Sequence, residues 1–148
     1  MPASRIVLGS DHGGFALKQE LRDHLAQWGW EVEDVGCSTT QSVDYPDFAA
    51  AVARKVADGE APFGVLVCGT GIGMCIAANK VRGVRAALCQ ETYSARMARA
   101  HNNANVLCLG GRVIGPELAR EVLAAFLESS FEGERHQRRL EKVSRMEE

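Results

Sequence analysis

The chain has 148 residues, 46% hydrophobic and 24% charged, with a formal net charge of -2. This length suits one domain, residues 1–148, around a sizeable buried core, and the near-neutral balance gives no electrostatic case for nucleic acid or an acidic membrane surface. No apolar run approaches the roughly 20 residues that cross a bilayer, and Met1–Ser10 is too short for a secretory leader, so a cytoplasmic protein is expected.

Arg5-Ile-Val-Leu-Gly-Ser10 is a short apolar run ended by glycine and reads as a buried strand. Asp11-His-Gly-Gly14 then reads as a turn. Leu17, Leu21, Leu25 and Trp28 recur at helical spacing until Gly29 stops the helix. Trp30–Val35 alternates apolar and polar as a second strand, and Cys37–Asp44 is a polar loop. Pro46 sits at a helix start, with Phe48, Val52 and Val56 as its apolar stripe and Gly59 at its end. Phe63–Cys68 does not alternate, which predicts a strand buried on both faces. The loop Gly69–Gly73 leads into a short helix through Lys80. Val84–Cys89 is a fourth strand, Tyr93–Ala100 a helix, and Asn105–Leu109 a fifth strand. Pro116 opens a further helix striped by Leu118, Val122 and Phe126.

Five strands alternating with helices imply a parallel sheet covered on both faces: an α/β, three-layer αβα sandwich, Rossmann-like and doubly wound. Such sheets bind ligands beyond the carboxyl ends of their strands. The loops after strands one, three and five hold Asp11-His12, Cys68 with its glycines, and Gly110-Gly111-Arg112. The tail from Glu132 carries Arg135, His136, Arg138, Arg139, Lys142 and Arg145 with few apolar anchors. It is either a solvated helix or an arm presenting Arg135 and Arg139, four apart on one face, to an anion.

The five cysteines, Cys37, Cys68, Cys75, Cys89 and Cys108, include no C-x-x-C pair. Neither a disulfide framework nor a zinc site is signalled, and reduced thiols fit the cytosol. Cys37, Cys75, Cys89 and Cys108 read as packing residues. Cys68 differs, because it ends a central strand and opens Gly69-Thr-Gly-Ile-Gly73. Glycines at alternate positions let successive N–H groups converge on an anion. A thiol there is expected to be partly ionised near neutral pH. It would serve as a general base, with the loop amides ready for an enediolate oxygen. A dinucleotide site is the competing reading: Gly69-x-Gly71 begins that fingerprint, and Glu91 lies 20 residues beyond Gly71. Against it, the third glycine falls on Met74 and the loop follows the third strand. A Walker loop is excluded because no Gly-Lys-Ser/Thr follows. His12 stands beside Asp11, and His101 beside Asn102 and Asn103. Two histidines, a cysteine and an arginine pair gathered on one rim are expected to form a site. Tyr45 either starts its helix or lends a hydroxyl to a ligand.

Together Gly9–Phe15, Asp44-Tyr-Pro46, Cys68–Gly73 with Ala77-Ala-Asn-Lys80, Ala87–Ser94, His101-Asn102 and Gly133–Arg139 resemble the type B ribose-5-phosphate isomerase family, which also contains galactose-6-phosphate isomerase subunits. The resemblance runs nearly the whole chain. It implies an aldose–ketose isomerase of ribose 5-phosphate and ribulose 5-phosphate acting through a cis-enediolate. On it, Cys68 matches the base and His101 the acid that opens the furanose ring. Gly69, Thr70, Gly71, Ile72 and Gly73 match the segment holding the enediolate oxygen, with Thr70 helping in catalysis. Asn102 matches a substrate-binding amide, and Asp11 and His12 grip hydroxyls and phosphate. Arg112, Arg135 and Arg139 match basic substrate ligands, the last two a phosphate clamp. The family implies a homodimer whose shared sites draw on an arm at about residues 131–148; pairing of dimers into tetramers stays open. No metal or cofactor is needed, since the proton goes out and back. Two rivals share the motifs: an isomerase of a six-carbon phosphosugar such as allose or galactose 6-phosphate, and a non-catalytic nucleotide-binding or sensory domain.

Overall fold

A computed structural model describes residues 4–148, so the first part of the N-terminal run, Met1 to Ala3, lies outside the described residues. The chain alternates strands and helices: β1 (Arg5–Ser10), α1 (Phe15–Gln27), β2 (Glu31–Asp34), α2 (Tyr45–Ala57), β3 (Phe63–Cys68), α3 (Ile72–Ala78), β4 (Ala86–Leu88), α4 (Thr92–Ala100), β5 (Val106–Gly110), α5 (Pro116–Glu128) and α6 (Arg135–Arg145). All strand pairs are parallel, in the order β2-β1-β3-β5-β4. β1, β3 and β5 occupy the middle and are buried almost throughout, as their continuous apolar runs predict.

Two apolar layers cover the sheet. Leu17, Leu21 and Leu25 of α1 pack with Ala95 of α4 and with Val122 and Phe126 of α5 on one face. Ala49, Val52 and Val56 of α2 pack with Met74 and Ala78 of α3 on the other. α1 and α3 therefore leave the neighbouring strands β1 and β3 toward opposite faces. Their diverging loops open a crevice at the carboxyl ends, the topological switch point where doubly wound sheets take their ligands.

The expected αβα sandwich is thus present, with shorter margins. β4 is only three residues long and lies at the sheet edge, and α3 stops at Ala78 instead of Lys80. The tail does fold as a helix, anchored by buried His136 and Leu140. One buried cation was not legible. Lys18 of α1 is 1% exposed, and its Nζ donates to Asp34 Oδ1 at 2.7 Å and to the Cys37 carbonyl at 2.7 Å. A buried ammonium is tolerated only with such partners. Here they pin the start of the loop between β2 and α2, which runs past the crevice. Among the described residues no helix is long and apolar enough to cross a membrane.

Candidate active site

β3 delivers Cys68 to the crevice, and the chain turns at once. The Gly71 N–H points back at Cys68 Sγ, 3.1 Å away. That turn needs the left-handed conformation of Gly71, with φ +82. A Cβ at Gly71 would lie 2.6 Å from Leu88 Cδ1 and 2.9 Å from the Leu109 carbonyl carbon. Cys68 is 5% exposed, while Thr70 and Ile72 of the loop that follows it are exposed. The loop is not a ring of free amides, as the glycine spacing suggested. The Gly71 amide serves the sulfur, and the Ile72 amide donates to Thr70 Oγ1 at 3.2 Å. The amides of Gly69, Thr70 and Gly73 have no acceptor among the described residues.

The loop after β1 closes the other side. Asp11 is buried, and its Oδ1 accepts the N–H groups of Gly13 at 2.9 Å and Gly14 at 3.1 Å. One carboxylate oxygen thus shapes the turn itself. Gly14 lies hard against β3, where a Cβ would come within 2.3 Å of the Val67 oxygen. The Val43 N–H donates to His12 Nδ1 at 3.2 Å. With Nδ1 accepting, Nε2 is the ring nitrogen left to face a ligand. That bond also ties the loop before α2 to the crevice.

Arg112 arrives from the loop after β5, its N–H on the Gly69 carbonyl at 3.0 Å. Its guanidinium spans Gly13 and Gly69, where added Cβ atoms would lie 3.4 and 3.3 Å from it. It has no carboxylate partner among the described residues. Tyr45 opens α2 and also lies on the loop: a Cβ at Gly73 would be 2.6 Å from Tyr45 Cε1 and 3.1 Å from its hydroxyl. Gln90, which sequence reasoning missed, donates from Nε2 to the Thr70 carbonyl at 3.2 Å.

His101, Asn102, Arg135 and Arg139 are elsewhere. α4 runs back from the carboxyl end of β4 and ends at Ala100, so His101 and Asn102 precede β5 at the amino end of the sheet. Val106 of β5 pairs with Gly64 and Gly110 with Cys68. Four residues of strand, about 13 Å, therefore separate the level of His101 from that of Cys68. The tail joins His101, because the Glu132 N–H donates to the Ala100 carbonyl at 2.9 Å. His101 and His136 stack with ring centroids 4.2 Å apart. Burial, with the charges of His101, Arg135 and Arg139, pushes the His136 imidazole below its ordinary value, while Glu132 pulls the other way. Arg135 and Arg139 themselves are exposed.

The expectation that cysteine, histidines and arginine pair share one rim of a single chain is therefore corrected. Asp11, His12, Cys68–Gly73 and Arg112 meet at the carboxyl end, and His101, Asn102, Arg135 and Arg139 gather at the amino end. A right-handed crossover returns its helix antiparallel to the strands. Whatever follows a helix and precedes a strand is thereby delivered to the wrong end for the crevice.

The other cysteines also divide. Cys89 is pushed up to about 11, chiefly by burial, and fully buried Cys108 lies well above the ordinary thiol range, chiefly through its hydrogen bond with Cys75. Half-buried Cys75 is brought down to about 7, first by the hydrogen bond with Cys108. The Cys75 thiol also donates to the Ala86 carbonyl at 3.5 Å.

A family model described as Ribose/Galactose Isomerase matches residues 6–143. Ribose-5-phosphate isomerase B of Escherichia coli strain K12 is 48% identical over 143 residues, covering 97% of this chain and 96% of that protein. D-erythrulose-4-phosphate isomerase of Pectobacterium atrosepticum is 48% identical over 139 residues, covering 93% and 91%. Ribose-5-phosphate isomerase B of Clostridium thermocellum superposes with a TM-score of 0.96 at 50% identity, covering 97% of each chain. With a family match across nearly its whole length and relatives this close, the chain belongs to the ribose/galactose isomerase family.

Proposed function

We propose that the chain is a cytoplasmic aldose–ketose isomerase interconverting ribose 5-phosphate and ribulose 5-phosphate, at sites each assembled from two copies. The observation that carries it is Cys68 at the switch-point crevice with the Gly71 N–H on its sulfur. A sulfur so placed, beside amides without acceptors, has what proton transfer at carbon requires: a base and donors for the oxygen that becomes negative.

The sugar phosphate binds as the furanose. His101 of one copy donates a proton to the ring oxygen as the bond from C1 to that oxygen breaks, and the C1 hydroxyl gives its proton to solvent water, leaving the open-chain aldehyde. Cys68 of the other copy removes the C2 proton, and the negative charge moves onto oxygen as a cis-enediolate. The amides of Gly69, Thr70 and Gly73, with the Thr70 hydroxyl, hold that oxygen. A proton passes from O2 to O1, and the thiol returns its own to C1, giving the ketose. Asp11 and His12 bind hydroxyls and Arg112 adds positive charge on the cysteine's side. Asn102, Arg135 and Arg139 come with the other copy, the arginines as a bidentate phosphate clamp. The two-copy site is supported by the split of these residues between opposite ends of one chain. A two-fold pairing that brings the amino-end group of each copy to the crevice of the other completes two equal sites.

The test is a coupled assay offering ribose 5-phosphate, allose 6-phosphate and galactose 6-phosphate side by side. The expected outcome is fastest turnover of the ribose ester. No turnover of any of them would remove the proposal, and preference for a six-carbon ester would move it to hexose phosphates.

A further inference from the structure

His101 does not stand alone at the end of α4. Its imidazole lies flat on that of His136, with planes 13° apart. The Glu132 carboxylate is 3.7 Å from His101 Nε2 and 3.5 Å from His136 Nε2. His136 is 5% exposed, yet its Nε2 has no hydrogen-bond partner. A nitrogen buried in this way is costly. A leucine would fill the same space without that cost, but it would put no flat ring against His101.

Facing His136 are His101 from the end of α4, Glu132 from the preceding segment, and Arg135 and Arg139 from α6. Burial, and then His101, Arg135 and Arg139, hold the His136 imidazole below its ordinary value, while Glu132 pulls the other way. The buried His136 ring gives the His101 imidazole a flat face to lie on, 4.2 Å away between centroids. At 3.7 Å the Glu132 carboxylate attracts the His101 ring without taking its N–H in a hydrogen bond. That proton is left for a substrate. The backbone bond from Glu132 to Ala100 holds the carboxylate at this place.

We propose that His136 and Glu132 are positioning residues for His101: the buried ring fixes the plane of the acid, and the carboxylate fixes its direction toward the sugar's ring oxygen. The inference rests on the reading of His101 as the ring-opening acid. It predicts that damage to either residue is felt in the ring-opening step and not in proton transfer at carbon.

These two steps can be read separately. Turnover of ribose 5-phosphate needs both. Exchange of the C1 hydrogens of ribulose 5-phosphate with D₂O needs only the base, because O5 carries the phosphate and no ring closes through it. In the full-length protein, His136→Ala is expected to lower kcat on ribose 5-phosphate by about 10²-fold, the scale of a misplaced catalytic group. Glu132→Gln is expected to lower it about tenfold, within what one supporting contact to an acid is worth. C1 exchange, followed by NMR, stays within about twofold of wild type in both, since the base and its donors are untouched. His136→Phe keeps a flat ring and is expected to recover most of the loss. Equal losses in turnover and exchange would overturn the proposal, as would unchanged turnover in both variants. If His136→Ala does not fold, Glu132→Gln carries the same comparison, because that side chain is 54% exposed. A wild-type protein that shows neither turnover nor exchange would instead refute the isomerase reading itself.

Discussion

The crevice at the carboxyl end and the cluster at the amino end are built on different principles. The crevice is backbone-made: glycines let three loops approach within contact distance, and its functional groups hang from strand ends in the middle of the sheet. The amino-end cluster is side-chain-made: stacked rings, a carboxylate and exposed arginines hang from the end of one helix and the start of another. The first is held by close backbone contacts within one chain, whereas Arg135 and Arg139 of the second are exposed and have no carboxylate partner among the described residues. That difference is what a site shared between copies would look like in one copy.

The sharpest way to break the comparison is complementation. Cys68→Ala and His101→Asn are each expected to lose activity by about 10²–10⁴-fold, the range for removing a general base or acid. Co-expressed with different tags, they should restore it. If each site takes its cysteine from one copy and its histidine from the other, random pairing gives half mixed dimers, each with one intact site. Activity then returns to about one quarter of wild type. Purified mixed dimers that stay inactive would show that both residues act within one chain, and the two-copy site would fail.

Stability should follow the same division. Gly14→Ala pushes a Cβ to within 2.3 Å of the Val67 oxygen, backbone against backbone, with no side chain free to yield. Urea denaturation should show a loss of about 3 kcal/mol, the upper part of the overpacking range. Gly133→Ala meets nothing within 4 Å and suffers only from its φ of +72. A loss of about 1 kcal/mol is expected there. Similar losses at both positions would mean that the crevice is no more tightly packed than the arm.

The sequence carries the crevice well because it is written in local terms. A continuous apolar run ending in Cys68 followed by alternate glycines fixes a strand, its end and its turn within ten residues. The amino-end cluster depends on which end of the sheet each segment reaches. Even so, the needed signal was present: His101 follows a helix and precedes a strand, which places it away from the carboxyl ends. His136 was hidden for another reason. In a tail of alternating charges it reads as one more solvated residue, and its burial comes from packing beside the end of α4, far away in sequence. Lys18 was hidden likewise, since its partners Asp34 and Cys37 belong to the following βα unit.

Thiol chemistry offers a milder probe of the wall behind the crevice. Cys75 sits on α3 after the glycine loop, and its thiol is brought down to about 7, first by its hydrogen bond with Cys108. Iodoacetamide at pH 7 should label it well before Cys89 or Cys108, as peptide mass spectrometry would show. Cys108→Ala removes the hydrogen bond that lowers Cys75, so labelling at pH 7 should slow. Faster labelling would mean that access, not ionisation, limits the reaction.

The smallest expected effect bears on the amino-end cluster. The folded protein holds His136 below the ordinary imidazole value of 6.5. Above that value the ring is neutral in both folded and unfolded chains, and pH has no hold on this residue. As pH falls below about 6.5, the unfolded chain takes up a proton that the folded chain resists. Stability is therefore lost progressively down to the folded value. Wild-type protein should lose a few degrees of melting temperature relative to His136→Phe between about pH 7 and pH 5, since only the wild type carries this proton linkage. The comparison subtracts every other titrating group, including Glu132 and His101, to the extent that the phenyl ring leaves them in place. If the wild type instead gains on the variant as pH falls, His136 is protonated in the fold. Burial and the neighbouring arginines would then not be what governs this ring, and the direction of its shift would be reversed.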